Sequence, residues 1–286
     1  MAGKLVLEAI GGLGNRMRAL DSAIEFCRKY DKELHLVWPY FKGLNCPFNK
    51  LFDIPETISS ISYPSEISRF KLISNLKVSF RKISRISYPF IYDKYLNKKK
   101  VYQLDKSHYS FEELAKYKSV RIQTDIRFLH SDARYKHIRP ISELKDKINS
   151  FKDKYFDCPV VGIHIRRTDH TMAISHSPTS VFEEMMDSEL LQEPQTKFFL
   201  ATDSESERKI LLKKFGDKII YQKNIVLSRN SVDGIQQALV DMYLLADCKK
   251  IIGSFQSTFC FVAAEINGIP LEIINEKNTI PEIKLR

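Results

Sequence analysis

Residues 160–169 read VVGIHIRRTD, an apolar run that passes directly into two arginines, a threonine and an aspartate. A short apolar run bounded by polar residues is typical of a strand buried on both faces. Similar strands alternate with amphipathic helices through the rest of the second half. The predicted strands are Val160–Arg166, Lys197–Thr202, Lys218–Gln222, Lys250–Gly253 and Leu271–Ile274, and the predicted helices are Ser180–Leu191, Glu205–Phe215, Gly234–Ala246 and Thr258–Ile266.

The first forty residues predict a unit of the same kind. Lys4–Ile10 is predicted to be a buried strand and Asn15–Tyr30 a helix, joined by the turn Gly11-Gly12-Leu13-Gly14. Glu33–Trp38 and Val120–Thr124 predict further strands. Between residues 40 and 120 the pattern is weaker, so few elements are predicted there.

Strict alternation of strands and helices predicts parallel sheets with right-handed crossovers. The 286 residues are about twice the length of a typical domain. We therefore expect an α/β fold of two Rossmann-like domains facing across a cleft. The expected N-terminal domain spans residues 1–150, with a basic insertion at about 60–100, and the C-terminal domain spans residues 151–286. Ligands of such sheets bind at the carboxyl ends of the strands.

Composition places the chain among ordinary globular proteins, with 43% hydrophobic and 28% charged residues. Its five cysteines form no C-x-x-C pair, so neither a disulfide framework nor a zinc site is indicated. No apolar run reaches the roughly 18 residues of a membrane span, and the first apolar run is too short for a signal peptide. These features favour a cytoplasmic protein.

The net charge of +10 is concentrated in one segment. Residues 69–100 hold ten basic residues and one acid, so the rest of the chain is nearly neutral and a nucleic-acid partner is not indicated. Apolar residues at helical spacing between Phe70 and Phe90 predict an amphipathic basic helix. One interpretation is that this helix contacts an anionic partner, either an acceptor or the inner face of a membrane. The other is that it packs on the core and its lysines are simply solvated.

Polar clusters follow the predicted strands. After the first strand, Gly12 and Gly14 permit close approach of a ligand, and Asn15 and Arg16 open a helix whose N–H groups suit an anion. A nicotinamide site is not indicated, because Met17 replaces the third glycine of G-x-G-x-x-G. No P-loop motif occurs either.

Two further clusters contain arginine or a buried acid. Adjacent Arg166 and Arg167 point to opposite sides of their strand end, so one can bind a diphosphate while the other pairs with a carboxylate. A purely structural ion-pair network is the alternative. Asp241 lies in an apolar helix, where a carboxylate needs a partner such as a guanine edge or a neighbouring loop. Other candidates after strands are Asp203, Ser254, Gln256, Ser257 and Thr258.

The order of these motifs resembles a known family. His164-x-Arg166-Arg167-x-Asp169, then Thr202-Asp203, then Asp241 with Ser257 sixteen positions later, resembles the alpha-1,6-fucosyltransferases of bacterial nodulation type and animal core type. The opening G-x-G-N turn is also similar to that of alpha-1,2 and protein O-fucosyltransferases. Residues 160–267 carry most of the resemblance, and residues 40–140 carry hardly any.

The resemblance implies a GT-B fold and inverting, metal-independent transfer of fucose from GDP-fucose, with no other cofactor. It implies that Arg166 binds the β-phosphate, that His164 and Asp241 bind the guanosine, and that Ser257 and its neighbours bind the nucleotide. The N-terminal domain would face a glycan or lipid-linked acceptor. The absence of a D-x-D sequence agrees with metal independence. The donor-binding residues expected in all are Gly12, Gly14, Asn15, Arg16, His164, Arg166, Asp203, Asp241, Ser254, Gln256, Ser257 and Thr258.

The general base stays open, because the glutamate that core-type members carry after the arginine motif has no counterpart in residues 170–176. Asp169, His170 and His176 are the candidates, and Arg166, Asp169 and His170 form the expected catalytic set. Two alternative functions also stay open: a GT-B transferase that uses another nucleotide sugar, and a non-catalytic nucleotide-binding or membrane-surface protein of the same fold.

Overall fold

The computed structural model describes residues 3–40, 43–63, 88, 90–168, 171–223 and 228–275. The chain divides into two compact units. Unit 1 comprises Met1–Arg139 with Arg229–Val232, and unit 2 comprises Pro140–Ser228 with Asp233–Arg286. Residue 150, the expected domain boundary, lies inside a helix at Ser142–Tyr155 that belongs to unit 2.

Unit 1 is built on a five-stranded parallel sheet with the strand order β3-β2-β1-β5-β4. Helix α1 packs on β1 and β2 and buries Met17, Leu20 and Ile24, because these residues recur at helical spacing. The strands are β1 (Gly3–Ala9), β2 (Lys32–Val37), β3 (Ile58–Ser62), β4 (Lys94–Leu96) and β5 (Ser119–Thr124), and the helices are α1 (Leu13–Lys29) and α2 (Lys98–Lys106).

Unit 2 holds a second five-stranded parallel sheet with the order β10-β9-β6-β7-β8. Its strands are β6 (Val160–Ile165), β7 (Lys197–Thr202), β8 (Ile219–Ile220), β9 (Ile251–Ser254) and β10 (Leu271–Ile274). Its helices are α3 (Ser142–Tyr155), α4 (Thr171–His176), α5 (Thr179–Gln192), α6 (Glu205–Phe215), α7 (Val232–Ala246) and α8 (Thr258–Asn267).

Strand β6 is buried along its whole length, which explains its unbroken apolar sequence. On one face Val161, Ile163 and Ile165 join a cluster with Phe182 and Met186 of α5. On the other face a Cβ on Gly162 would lie 2.8 Å from the Leu245 side chain of α7, so only glycine permits this close packing.

Each sheet has one point at which the direction of chain progression reverses. In unit 2 the chain runs from β6 outward to β7 and β8, and then returns to the other side of β6 with β9 and β10. In unit 1 the corresponding point lies between β1 and β5. Ligands of doubly wound sheets bind at the carboxyl ends of the strands that flank such a point. The topology therefore indicates that ligand-binding residues follow β6 and β9 in unit 2, and β1 and β5 in unit 1.

The predicted α/β class and parallel sheets are confirmed, and the predicted elements of the second half are present with ends shifted by a few residues. Strand β8 is shorter than the predicted Lys218–Gln222, because Gly216–Lys218 form a 3-10 turn and the Gln222 side chain contacts Asp241. The sequence pattern did not predict α2, α3, α4, β3 or β4.

Most of the predicted basic helix, between Phe70 and Phe90, lies outside the described residues, which omit 64–87 and 89. The last basic residues of that segment have other positions, since Lys94 lies in β4 and Lys98–Lys100 open α2. Within the described ranges no helix is both long enough and apolar enough to cross a membrane.

Candidate functional site

The carboxyl ends of β6 and β9 are joined by one serine hydroxyl. Ser254 Oγ donates to the His164 carbonyl at 3.2 Å and accepts from the Arg166 N–H at 3.0 Å. Ser254 is completely buried, so both bonds are made away from water. This hydroxyl therefore fixes the point at which the loops after β6 and β9 separate.

Arg167 is held by a dense set of contacts. Its Nε donates to Glu207 Oε1 at 2.8 Å, and its Nη2 donates to the Ser177 carbonyl at 3.0 Å and to Thr179 Oγ1 at 3.1 Å. Glu207 Oε2 in turn accepts from the Thr179 hydroxyl at 2.6 Å. The Arg167 and Glu207 side chains are each 12% exposed. Arg167 is thus held by a close carboxylate pair and two further acceptors.

Asp203, at the end of β7, organises the loop that contains both arginines. It accepts from the Arg167 N–H at 2.8 Å and from the Thr168 hydroxyl at 2.7 Å. Its Oδ2 also lies 3.5 Å from Arg166 Nη1. The guanidinium of Arg166 is therefore held beside a carboxylate at the carboxyl end of β6, with 16% of its side chain exposed.

Helix α8 begins directly after β9. Its N-cap residue Ser257 makes no side-chain capping bond, and Gln256 before it has a left-handed φ of 52°. A Cβ on Gly253 would lie 2.7 Å from Cys260 Sγ, so glycine lets the helix pack directly on the strand. The first N–H groups of a helix, here from Thr258 onward, carry partial positive charge and favour an anion.

His164 is the polar side chain buried between these loops. It is 6% exposed and its ring stacks on Phe259 of α8, with the ring centres 4.9 Å apart. Burial, reinforced by the positive charge of Arg166, lowers the pKa of His164 to about 3, so the imidazole is neutral near pH 7. Its Nδ1 has no hydrogen-bond partner among the described residues. A buried nitrogen of this kind is a hydrogen-bond site for a ligand.

Asp241 lies on α7 and faces the residues after β8. It is 9% exposed, and Gln222 Nε2 donates to its Oδ1. Burial raises the pKa of Asp241 to about 7, although the Gln222 hydrogen bond and the charge of Arg208 oppose this shift. Arg208 itself is paired with Glu205 at 2.7 Å and lies over the Tyr221 ring.

The glycine turn of unit 1 has a different arrangement. Gly11 has φ of 85°, and Gly12 is the N-cap of α1 with open space around its Cβ position. Arg16 is 2% exposed, donates to the Gly11 carbonyl at 2.9 Å and to the Pro39 carbonyl, and lies over the Trp38 ring. Burial lowers its pKa to about 10, so it stays charged. Its guanidinium therefore stabilises the turn by hydrogen bonds to these two backbone carbonyls.

Comparisons with known proteins agree with this topology. Residues 113–270, more than half of the chain, match the profile of the alpha-(1,6)-fucosyltransferase N- and catalytic domains. This chain belongs to the alpha-1,6-fucosyltransferase family. No curated protein matches the sequence significantly.

Solved structures of fucosyltransferases share the fold. NodZ from Bradyrhizobium is 20% identical, with a TM-score of 0.66 over 98% of this chain and 97% of NodZ. Arabidopsis thaliana FUT1, solved as a variant with GDP, is 16% identical, with a TM-score of 0.61 over 96% of this chain and 70% of FUT1. POFUT1 in complex with GDP is 13% identical, with a TM-score of 0.55 over 95% of this chain and 98% of POFUT1. The fold of this fucosyltransferase is the expected GT-B fold.

The structure brings most predicted residues of unit 2 together at the carboxyl ends of the strands. His164, Arg166, Asp203 and the residues Ser254–Thr258 gather at β6, β7 and β9, while Asp241 lies beyond β8. Gly12, Gly14, Asn15 and Arg16 lie in unit 1. Asp169 and His170 lie outside the described residues. Within the described ranges, no three His, Cys, Asp or Glu side chains cluster in a way that could hold a metal ion.

The sequence analysis missed the supporting residues Glu207, Thr179, Ser177 and Gln222. Glu207 and Thr179 sit in the first turns of predicted helices, where polar residues are common, so no signal separates them from ordinary surface positions. Ser177 is the clearest example of a supporting residue that was missed. It is completely buried, donates to the Ile274 carbonyl at 2.7 Å and accepts from the Phe255 N–H at 2.8 Å.

Arg167→Lys should destabilise unit 2. Lysine keeps the charge but cannot contact Glu207, Thr179 and the Ser177 carbonyl at once, so we expect a loss of about 2–4 kcal/mol in the free energy of unfolding. Thermal unfolding measures this, with Arg166→Lys as the neighbouring control that should lose clearly less. Equal losses in the two variants would contradict the structural role of Arg167.

Asp241→Asn should change how stability depends on pH. Because the folded-state pKa is raised to about 7 from 3.8, the folded protein keeps a proton that the unfolded chain has lost between these values, so stability falls as pH rises from about 4 to 7. The asparagine variant lacks this loss and should gain stability over the parent, by a few kcal/mol above pH 7. Melting temperatures from pH 4.5 to 8.5 test this, with exposed Asp153→Asn as a control that should show no such trend.

Proposed function

We propose that this fucosyltransferase carries out inverting, metal-independent transfer of fucose from GDP-fucose to a glycan or lipid-linked acceptor. The observation that carries the proposal is that two positive groups, Arg166 after β6 and the uncapped start of α8 after β9, follow the strands at the reversal point of the unit 2 sheet. Both are positive and suit a diphosphate. NodZ has been solved soaked with GDP-fucose and POFUT1 with GDP, which supports the same donor here.

The buried polar groups suit a guanosine. An ionised Asp241 accepts the N1–H and N2–H of guanine, a pair of donors that uracil and adenine lack in this arrangement. The unpartnered Nδ1 of neutral His164 offers a hydrogen-bond site to the same nucleoside. Backbone N–H groups near Ser257 and Thr258 bind phosphate oxygens, while Ser254 keeps the two loops in register.

The glycine turn of unit 1 has the properties of an anion site of its own. Gly12 is the N-cap of α1 and makes no side-chain cap, so the N–H groups of the first turn, which holds Gly14 and Asn15, suit an anion. Arg16, which the resemblance assigns to the donor, is committed to the Gly11 and Pro39 carbonyls, so its proposed role is to hold the turn.

In the proposed step the bond between the anomeric carbon and the β-phosphate oxygen breaks while the acceptor oxygen bonds to that carbon from the opposite face. Positive charge develops on the sugar ring and negative charge on the departing GDP. Arg166 and the start of α8 stabilise the negative charge, which is the task that a metal performs in other transferases. Asp203, beside Arg166, keeps its guanidinium in place.

A base must take the proton of the acceptor hydroxyl, and Asp169, His170 and His176 remain the candidates. His176 Nδ1 lies 2.9 Å from the Met172 carbonyl and 2.8 Å from the Ser175 hydroxyl. A proton on Nδ1 would satisfy the carbonyl and leave Nε2 as the basic nitrogen. Its ring also stacks on Phe255, with centres 4.8 Å apart. Single substitutions at the three positions, with transfer and GDP binding measured separately, identify the base.

GDP should raise the melting temperature in the absence of added metal, whereas UDP, ADP and NAD should not. At a hundredfold excess over Kd, binding adds about 2.7 kcal/mol to the free energy of unfolding. A thermal-shift series with each ligand, with and without EDTA, measures this. Stabilisation by NAD alone, or only with Mn²⁺, would refute the donor assignment.

Arg166→Lys should lower turnover by about 10²-fold or more, because lysine lacks the two-pronged contact with the developing phosphate charge. Initial rates of GDP release from GDP-fucose measure the effect. Arg167→Lys serves as a comparison after correction for its folded fraction, and it should retain more activity. The same small effect at both positions would mean that the arginine pair only supports structure.

We also propose that residues 69–100 contact the anionic inner face of a membrane carrying a lipid-linked acceptor, in the cytoplasm. The concentration of positive charge supports this, at roughly 1 kcal/mol for each basic residue near the surface. Neutralising Lys77, Arg81, Lys82 and Arg85 should abolish co-sedimentation with anionic liposomes at low salt and leave GDP binding unchanged. A parent protein that ignores anionic liposomes would overturn this part of the proposal.

A further inference from the structure

Two tyrosines anchor a short turn before β4 to the sheet of unit 1. The Tyr92 N–H donates to the Tyr88 carbonyl at 3.0 Å, which is the spacing of one helical turn. The two rings pack edge to face, with centres 5.8 Å apart. The Arg121 guanidinium of β5 lies 4.3 Å from the Tyr88 ring centre and 5.8 Å from that of Tyr92. Because residues four apart share one side of a turn, this side faces the sheet.

Arg121, which holds these rings, is itself fixed inside the unit. Its side chain is 8% exposed, and its Nη2 donates to a Glu8 carboxylate oxygen of β1 at 2.8 Å. The Gln123 amide donates to the other oxygen of the same carboxylate at 2.7 Å. Asp93, directly after the turn, accepts from the Ser119 N–H at 2.8 Å. The sheet therefore fixes both the position of the turn and the direction in which its outer side faces.

The outer side of the turn carries two adjacent apolar residues. Phe90 is 89% exposed and Ile91 is 59% exposed. Single exposed apolar side chains are ordinary on protein surfaces, and Leu191 at the end of α5, 86% exposed, is one of them. An aromatic and a branched side chain next to each other on an anchored turn indicate a surface that meets a partner.

Basic side chains lie close to this turn. Lys4 Nζ is 5.9 Å from the Tyr92 ring centre, and Lys94 opens β4 two residues after Tyr92. The Lys4 N–H donates to the Lys118 carbonyl at 2.8 Å, so these lysines gather at the amino ends of β1, β4 and β5. We refer to Lys4, Lys94 and Lys118 as the edge lysines. They outnumber the adjacent Asp93, so the surroundings of the turn are positive.

Area and charge together select the partner. Phe90 and Ile91 offer about 300 Å² of apolar surface, since one aromatic side chain contributes roughly 200 Å². A stable protein interface needs about 800 Å² from each partner. A second copy of the chain would also bring like charges together across a twofold axis. An anionic lipid surface requires no such area, because it accepts apolar side chains below its headgroups and attracts lysines at their level.

We propose that Phe90 and Ile91 insert below the headgroups of an anionic lipid surface, with the edge lysines at headgroup level. Insertion rests on the proposed membrane contact of residues 69–100 and adds to it an apolar component, which salt does not screen. The anchored turn favours insertion, because its backbone is ordered before the lipid is met.

Co-sedimentation of the full chain with vesicles of phosphatidylglycerol and phosphatidylcholine, at low and high salt, tests this. The parent should bind at low salt and retain part of its binding at high salt. Phe90→Ser with Ile91→Ser should weaken binding at least about tenfold at both salt concentrations. Lys4→Gln with Lys118→Gln should weaken it mainly at low salt, by about fivefold for each lysine. Leu191→Ser, a control of equal exposure, should bind like the parent.

Fluorescence separates insertion from adsorption by charge alone. The chain has one tryptophan, Trp38, which is completely buried. In Phe90→Trp the second indole starts in water, so its emission should shift to shorter wavelength when the anionic vesicles are added. Leu191→Trp should show no such shift. Unshifted emission from Phe90→Trp, with vesicle binding intact, would overturn insertion and leave the electrostatic contact standing.

Thermal unfolding with and without GDP is measured on every variant, which separates folding, donor binding and lipid contact. Phe90→Ser with Ile91→Ser should melt at the temperature of the parent. Clear destabilisation would mean that the two side chains pack within the chain, and a dimer that this variant breaks would mean that they meet a second copy. Either result would overturn insertion, as would a parent that does not bind the vesicles. Failure of GDP to bind, with vesicle binding dependent on Phe90, would instead refute the proposed donor and leave insertion standing.

Discussion

The buried ion pair between Arg167 and Glu207 is the contact on which the carboxyl ends of the unit 2 strands depend. It joins the residues directly after β6 to α6, and through Thr179 and the Ser177 carbonyl it also joins them to the start of α5. Because both side chains are largely removed from water, every N–H and oxygen of the pair needs a partner. The surrounding hydroxyls and carbonyl provide those partners, so Arg167 is fixed between α5 and α6.

Arg166 and Arg167, although adjacent in the chain, therefore have different roles. Successive side chains at a strand end point in opposite directions, so Arg166 does not share the side-chain partners of Arg167, and its guanidinium lies beside Asp203. Ser254 and Asp203 hold the backbone around it from the two adjacent strands. The candidate site is thus formed by residues at the ends of three strands, β6, β7 and β9. Most of its side chains are held in place by a second residue.

The elements of unit 2 could be predicted because a sheet covered on both faces requires apolar strands, and the resulting pattern is strong. Arg166, Asp203 and Asp241 could be predicted as site residues because charged groups directly after strands, or within an apolar helix, are uncommon. The residues that hold these three side chains in place could not be predicted. Gln222 and Ser177 are ordinary polar residues in the sequence, and their roles depend on where the fold places them. Likewise β3 and β4 are short edge strands with little apolar alternation.

The contact between Asp203 and Arg166 has a consequence for ligand affinity. In the unliganded protein the guanidinium already has a carboxylate 3.5 Å away, so its long side chain is ordered before any diphosphate arrives. Immobilising such a side chain on binding costs roughly 0.5–1.5 kcal/mol of conformational entropy, and here that cost is met during folding. In the proposed donor site the phosphate shares an arginine that is already oriented, and the negative charge of Asp203 opposes retention of the product diphosphate. In that proposal the same carboxylate both orients Arg166 and favours release of the nucleotide.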